Sequence, residues 1–506
     1  MITMNNFKRP LMAVFAGALT TLAFAPYGIW PLAFFTPAVL FYLLQNQPLK
    51  RAVILGFAWG FGQFSTGISW VHISIDTFGG IPKAASLLLM ILLVSYLSLF
   101  PALFALTLNK FFPQRSAHKF IIAAPLLWVT IDWLRGWLFT GFPWLWLGYS
   151  QIDGPLASLA PVFGVEAMTL LSVLISGTLV YALLQKQLKW LLAPLLVMLV
   201  SLSLQWANWV TPVPERAKEV ALIQGNIDQA TKWIPRYRWP NIMKYMDLTR
   251  KSWDADIIIW PEAAIPAVEG GITQFLHNAD SAARLNNASI ITGIVGQSAS
   301  GQFFNNIISL GVNSDGEYNY QTKSRYSKHH LLPFGEFVPF ESILRPIAPL
   351  FNLPMSSFKR GDYIQPNVDA NGAQLVAALC YEIVYGEQVR QNTTDESDYI
   401  LTLSNDAWFG DSIGPLQHME MARMRALELG KPLIRSTNNG VTAVTDYRGD
   451  IIEQLPQFKT AVLRATVVPT EGTTPYRLWG SWPLYLLTIT GLSLAFWRQR
   501  VYKITA

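Results

Sequence analysis

Cys380 is the only thiol in 506 residues. It stands in Gln374-Leu-Val-Ala-Ala-Leu-Cys-Tyr-Glu-Ile-Val-Tyr-Gly386. An ordinary thiol, with a pKa of about 8.5, is only a few per cent thiolate at neutral pH, so a nucleophilic cysteine wants a neighbouring base. Glu262, which follows Asp256-Ile-Ile-Ile-Trp-Pro261, could be that base if burial raises its proton affinity. Lys328 lies in Arg325-Tyr-Ser-Lys-His-His-Leu-Leu-Pro-Phe-Gly-Glu336. It could stabilise the oxyanion formed when a thiolate attacks a carbonyl, helped by a backbone N–H near Cys380. Two competing readings stand beside this one. A lone cysteine at a strand end is often a small buried hydrophobe, and His329 or His330 could pair with Cys380 instead, although neither has as clear an orienting acid as Lys328 has in Glu262 and Glu336.

These residues need strand tips to hold them. Leu375 to Leu379 form a short apolar run bounded by Asn371-Gly372 and Gly386, which predicts a buried strand with Cys380 at its C-terminal end, where open α/β sheets place reacting groups. Further strands are predicted over 219–225, 256–260, 289–296, 306–310, 399–404, 441–445 and 461–467, and helices over 236–251, 272–286 and 416–429. Together they make residues 211–477 an α/β domain large enough to bury its own core.

The flanks read differently. Hydrophobic residues make up 51% of the chain and charged ones only 14%, which points towards a membrane protein. Uncharged windows cover 11–25, 30–45, 52–75, 84–108, 120–131 (extending to Arg135), 167–185, 190–210 and 478–497, giving eight candidate spans. The domain division is therefore 1–210 with seven spans, 211–477, and 478–506 with the eighth span and a tail. A signal peptide at the N-terminus is the alternative for the first window, but a second apolar window follows at once. If the spans alternate, Lys8, Arg9, Lys50, Arg51, Lys110, Arg115, Lys119, Lys186, Lys189, Arg498, Arg500 and Lys503 share one side. The positive-inside rule then puts both termini in the cytoplasm and the α/β domain outside it. The net charge of +6 is thus a topology signal, with no nucleic-acid partner expected. Asp132 and Arg135, three apart on a predicted helix, should form a local ion pair, and the tryptophans of residues 136–152 suggest an interfacial arm.

The order Trp-Pro-Glu262, then Lys328 with Pro-Phe-Gly-Glu336-Phe-Val-Pro, then Cys380-Tyr-Glu382 resembles the carbon–nitrogen hydrolase (nitrilase-like) superfamily. With spans on both flanks, the whole chain is similar to its membrane-bound branch, the apolipoprotein N-acyltransferase family. The resemblance implies an αββα sandwich with a Glu-Lys-Cys triad at Glu262, Lys328 and Cys380, and a multi-pass protein of the bacterial inner membrane with its catalytic domain in the periplasm. It implies that Cys380 takes an acyl chain from a phospholipid, typically phosphatidylethanolamine, as a thioester. The α-amine of a diacylglyceryl-cysteine on an apolipoprotein then receives it. Glu336, Tyr381 and Glu382 match supporting positions, and Trp233 matches a tryptophan near the substrate entrance.

The apolar, Pro-broken stretch from Phe337 to Met355 follows Glu336 and suggests a lid carrying Phe351 and Leu353 against acyl chains. Trp408-Phe409-Gly410 is a second candidate gate. The six histidines show no zinc-binding spacing, so neither metal nor cofactor is expected, and a monomer in membrane lipid is the simplest state. A membrane-tethered amidase and a catalytically inactive transporter or scaffold are the rival readings.

Overall fold

A computed structural model describes residues 3–320, 323–338 and 357–505. The chain divides into two compact units. One comprises Met1–His72, Pro82–Asn208 and Leu478–Ala506; the other is Trp209–Arg477 together with the short segment Ile73–Ile81.

The first unit is helical, and each uncharged window carries a helix: Thr3–Thr20, Leu32–Leu43, Leu49–Gly67, Lys83–Phe111, Ala124–Trp137, Ala160–Gln185, Leu192–Leu204 and Trp482–Thr505. Among the described residues, Lys83–Phe111, His118–Thr140 and Ala157–Gln185 are long and apolar enough to cross a membrane. Leu32–Leu43, at 12 residues, falls short of the roughly 20 that a hydrocarbon core demands. Arg135 and Asp132 form the expected ion pair at 2.9 Å. The stretch after them is not a simple interfacial arm, however. Arg135 also donates to the carbonyls of Phe142 (2.8 Å) and Trp144 (2.7 Å). The guanidinium thereby folds the chain back, so that Trp144 is fully buried while Trp137 remains 53% exposed.

The second unit is built on two sheets. Its strands are β1 Val210–Pro212, β2 Lys218–Gln224, β3 Ile257–Ile259, β4 Ile265–Val268, β5 Ser289–Gln297, β6 Phe303–Gly311, β7 Arg325–Ser327 and β8 Val368–Ala370. They continue with β9 Ala373–Leu379, β10 Tyr399–Ser404, β11 Leu433–Thr437, β12 Ala443–Thr445, β13 Ile451–Gln454, β14 Ala461–Val467 and β15 Thr470–Gly472. One sheet runs β14-β2-β3-β5-β6-β7, with β4 also paired to β5, and the other runs β13-β12-β11-β10-β9-β8. Each has a parallel centre, β2-β3-β5 and β9-β10-β11, flanked by antiparallel strands.

The two-residue period of a strand explains the layering. Leu222, Ile257 and Ile259 face Leu375, Leu379, Leu401 and Ile434 of the other sheet in one buried core. The alternate residues Ile223, Ile258 and Trp260 turn the other way, onto Ile242, Tyr245 and Leu276 of helices Arg238–Thr249 and Thr273–Leu285. Helices Gly386–Asn392 and Gly414–Leu429 contact β9 and β11 of the second sheet. The order of layers is helix, sheet, sheet, helix. Because β3, β9 and β10 run parallel within their sheets, their C-terminal ends open on one rim, and the chemistry-bearing residues gather there.

Candidate active site

Glu262 leaves the end of β3 through Trp260-Pro261, and the next residue, Ala263, has φ of +46°. Gly293 on β5 makes room for this turn: a Cβ there would stand 2.4 Å from the Ala263 nitrogen and 2.7 Å from Glu262 Cα. Lys328 follows β7 directly, and its N–H donates to the Asn305 carbonyl of β6 at 2.8 Å. Cys380 directly follows β9 and opens a short helical turn, Cys380–Val384. Its φ of +52° lies in the left-handed region that a side chain rarely adopts. The strand, the sharp reversal and the helical turn leave the residue part-buried at the rim.

Glu262, Lys328 and Glu336 form one buried cluster. Lys328 Nζ lies 3.4 Å from Glu262 Oε1 and 2.9 Å from Glu336 Oε2. The Asn305 amide donates to both carboxylates, at 2.9 Å each. Glu262 also accepts the Asn405 N–H at 3.0 Å, and Glu336 the Leu332 N–H at 2.8 Å. Burial alone would lower the Lys328 pKa, but Glu336 and then Glu262 outweigh it and hold the ammonium above its ordinary value. The charge is therefore permanent at working pH. The Cys380 thiol is pushed up to about 12 by burial first and by the Glu262 charge second, with Lys328 opposing. At rest Cys380 is thus a neutral thiol, and to attack a carbonyl it would have to hand its proton to a base.

Glu382 does a different job. Its Oε1 accepts the backbone N–H groups of His329 (2.7 Å) and His330 (2.8 Å), and its Oε2 accepts that of Leu379 (2.8 Å). The Tyr326 hydroxyl and the Gln388 amide complete its shell. One buried carboxylate thus ties the end of β9, beside Cys380, to the lysine loop. Burial raises its pKa, with Lys328 and these N–H groups pulling back. The rings of the two competing histidines turn elsewhere: His329 Nδ1 contacts the Gly361 carbonyl at 2.8 Å, and His330 stacks on Tyr385 at 3.6 Å. Tyr381, buried beside them, packs edge-on against Tyr385.

Trp233 packs with Val268, Val295, Leu331, Phe337 and Phe358 at the edge of the first sheet. Phe351 and Leu353, with the proposed lid from residue 339 onward, lie outside the described residues. Trp408 sits on the turn Asp406–Phe409. Its carbonyl accepts the Ser74 hydroxyl at 2.7 Å, and Ile73 abuts Gly410. A segment that precedes the α/β domain by more than a hundred positions thus packs on its candidate gate, which nothing in the local sequence announces.

The residue-by-residue reading missed four further groups. Asn305, an amide inside a β-rich run, bridges the two carboxylates. Lys232, beside Trp233, is buried with Nζ 3.3 Å from the Glu262 carbonyl. Burial lowers its pKa to about 8, against the pull of Glu262. Asp406 and Arg435 form a wholly buried pair at 2.9 Å. Only Asp406 had a local signal, since it neighbours the Trp408 gate.

The residues matched by known families agree with this layout. Residues 219–476 match carbon-nitrogen hydrolase, the class that the sandwich and its Glu, Lys and Cys at the strand ends define. Residues 16–178 match the apolipoprotein N-acyltransferase N-terminal domain. The apolipoprotein N-acyltransferase of Vibrio parahaemolyticus is 62% identical over 98% of this chain and 98% of its own length. That of Vibrio cholerae is 62% identical with the same coverage, and that of Haemophilus influenzae is 44% identical over 98% of this chain and 97% of its own. The chain belongs to the apolipoprotein N-acyltransferase family.

Proposed function

We propose that the protein transfers a fatty acyl chain from a phospholipid to the N-terminal amine of a diacylglyceryl-cysteine on an apolipoprotein, through a thioester on Cys380. The observation that carries the reading is the convergence of Glu262, Lys328 and Cys380 on one rim in a chain that matches this family along nearly its whole length. Glu262 accepts the thiol proton, the sulfur attacks the ester carbonyl, and the Lys328 ammonium faces the oxyanion that forms. Collapse expels the lysophospholipid alkoxide, which takes the proton back from Glu262. In the second half, Glu262 takes a proton from the incoming amine as its nitrogen attacks the thioester. Lys328 again balances the tetrahedral oxyanion, and the thiol leaves with the proton restored.

Glu336 and Asn305 hold Lys328 and Glu262 in register for both halves, and Glu382 holds the strand end. Trp233, Trp408 and the stretch with Phe351 and Leu353 would contact the lipid chains, with phosphatidylethanolamine as the donor. Eight spans with both termini in the cytoplasm, the α/β domain in the periplasm and a monomeric enzyme complete the proposal. A catalytic mouth at the outer face of the inner membrane spares the extraction of two lipid-anchored substrates, which costs about 0.8 kcal/mol for each CH₂ drawn into water.

Intact mass spectrometry of the purified protein given phosphatidylethanolamine tests the scheme. The mass should rise by one fatty acyl group and fall again on adding a diacylglyceryl lipopeptide, and Cys380→Ala should take up none. Hydrolysis of the thioester at the same rate without the lipopeptide would favour a membrane-tethered amidase.

A further inference from the structure

Beside Cys380 lies a second network that the triad chemistry does not use. Ser404, the last residue of β10, has its Oγ 3.3 Å from Cys380 Sγ and 2.6 Å from Asp406 Oδ1. A serine hydroxyl carries one proton, so it can serve only one of these neighbours at a time. Asp406 is fully buried and lies against Arg435, whose Nη2 donates to Oδ1 at 3.1 Å and to Oδ2 at 2.9 Å. That guanidinium keeps the carboxyl ionised. An O–H on a carboxylate at 2.6 Å is in the short, charge-assisted range, whereas sulfur is a weak acceptor. The hydroxyl proton therefore goes to Asp406, and Ser404 turns a lone pair towards the sulfur.

The same network also grips the backbone of the nucleophile. His418, from helix Gly414–Leu429, has Nε2 3.1 Å from the Cys380 carbonyl and Nδ1 3.0 Å from Arg435 Nη2. A carbonyl only accepts and a guanidinium only donates, so His418 is the neutral tautomer with its proton on Nε2. Burial first, and the Arg435 charge next, hold its pKa down and keep it neutral.

We propose that Ser404 and Asp406 act as a proton catch on Cys380: the thiol S–H donates to Ser404 Oγ, which keeps the sulfur protonated and aimed until Glu262 takes the proton. The inference rests on reading Cys380 as the nucleophile. At rest the chain is S–H to Oγ, then O–H to the Asp406 carboxylate. On activation the sulfur lets go of Ser404, its proton passes to Glu262, and neither Ser404 nor Asp406 gains or loses one. The charged groups acting on the sulfur are Glu262 after β3, Lys328 after β7 with Glu336 beside it, and Asp406 after β10. His418 meets the Cys380 carbonyl through Nε2, and its Nδ1 lies near Arg435 and 3.5 Å from Asp406 Oδ1. Ser404, Asp406 and His418 are positioning residues.

The test uses the full-length protein in detergent. Its single cysteine allows the thiolate to be titrated by ultraviolet absorbance, read as the difference from Cys380→Ala. Ser404→Ala removes the acceptor that holds the S–H, so the thiol should ionise about one pH unit lower, equivalent to about tenfold more thiolate at any pH below both midpoints. Asp406→Asn frees the serine proton for the sulfur and deletes a negative charge, and should move the midpoint the same way and further. A purely structural role would lower the melting temperature or the acylation rate and leave the midpoint in place. A midpoint unchanged or raised in Ser404→Ala overturns the catch. Ser404→Ala removes a single oxygen, so it decides the matter even if Asp406→Asn does not fold. Failure of the wild-type protein to gain an acyl mass from phospholipid would overturn the nucleophile reading instead, and leaves the titration comparison intact.

Discussion

Two buried ionic clusters flank Cys380, and they are built for different work. In front, a single ammonium, Lys328, faces two carboxylates, Glu262 and Glu336, bridged by the Asn305 amide. Behind, a single carboxylate, Asp406, is matched by a single guanidinium, Arg435, with a neutral His418 alongside. The front carries an excess of negative charge and keeps a slight opening, with the Glu262 side chain 9% exposed, whereas both partners of the rear pair are fully enclosed. A carboxylate has about four lone-pair sites. Glu336 meets Asn305, Leu332 and both contacts of Lys328, while Glu262 meets Asn305, Asn405 and a longer 3.4 Å contact to the ammonium. Glu262 is the less committed of the two, which suits it to the base's part in the proposed scheme. In the proposed scheme the front cluster moves protons and the rear cluster holds the sulfur and the rim in place.

The sharpest way to break this division is Glu262→Gln. The amide keeps the size and loses the base, so acyl-enzyme formation should fall by about 10²- to 10⁴-fold with the melting temperature little changed. Stopped-time intact mass spectrometry reads the first, and thermal unfolding in detergent the second. A variant that acylates at the wild-type rate would move the base elsewhere.

Arg435→Met asks the converse question. It leaves the buried Asp406 charge unpaired, and such a loss costs about 3–5 kcal/mol. Denaturant unfolding should show the cost directly, and a variant of unchanged stability would mean that the rear cluster is not what holds the rim. Between these lies Gly293→Ala. The added methyl meets backbone at Ala263 and Glu262, so the turn carrying the base must shift. Overpacking of this kind costs about 1–3 kcal/mol, and here it should appear in both readouts at once. A loss of stability without loss of acylation would show that the base tolerates displacement.

The same contrast governs how much could be read from the sequence. In the front cluster the two carboxylates were legible from their Pro-Glu and Gly-Glu punctuation, and Cys380 beside them from the apolar run it follows, whereas Asn305, an amide inside a β-rich run, was not. The rear cluster was hidden inside an element that sequence patterning rejects. β11, Leu433-Ile-Arg-Ser-Thr437, lies between β10 and β12 at the centre of its sheet. Its apolar run is cut after two residues by an arginine, which is unfavourable in a core until Asp406, 29 positions earlier, neutralises it. No local window contains both partners. The short strands β4, β7 and β8 were missed for a related reason: at three or four residues their pairing comes from neighbours distant in sequence and not from their own composition. The helices were easier, since long uncharged windows need no partner to be seen, although the buried arm after Arg135 shows that tertiary hydrogen bonds can overrule the usual surface preference of tryptophan.

The smallest expected effect separates the clusters by pH. An unperturbed thiol titrates at about 8.5–9 and this one is pushed to about 12 in the fold, so over that interval the native state holds a proton that the unfolded chain has released. Stability contributed by this group is fully present below pH 9 and is lost as pH rises towards 12, at up to about 1.4 kcal/mol per pH unit. Lys232 works in the opposite sense. Its pKa falls to about 8, so between there and its ordinary 10.5 the native state holds fewer protons than the unfolded chain, and stability rises with pH. The two trends overlap in the raw profile but separate by difference. Cys380→Ser should lose less stability than the wild-type protein between about pH 9 and 11, and Lys232→Met should lose more. Denaturant midpoints at several alkaline pH values measure both. Parallel profiles for the wild-type protein and Cys380→Ser would mean that the sulfur ionises in the fold as easily as in water, and the front cluster would then have no need of a base.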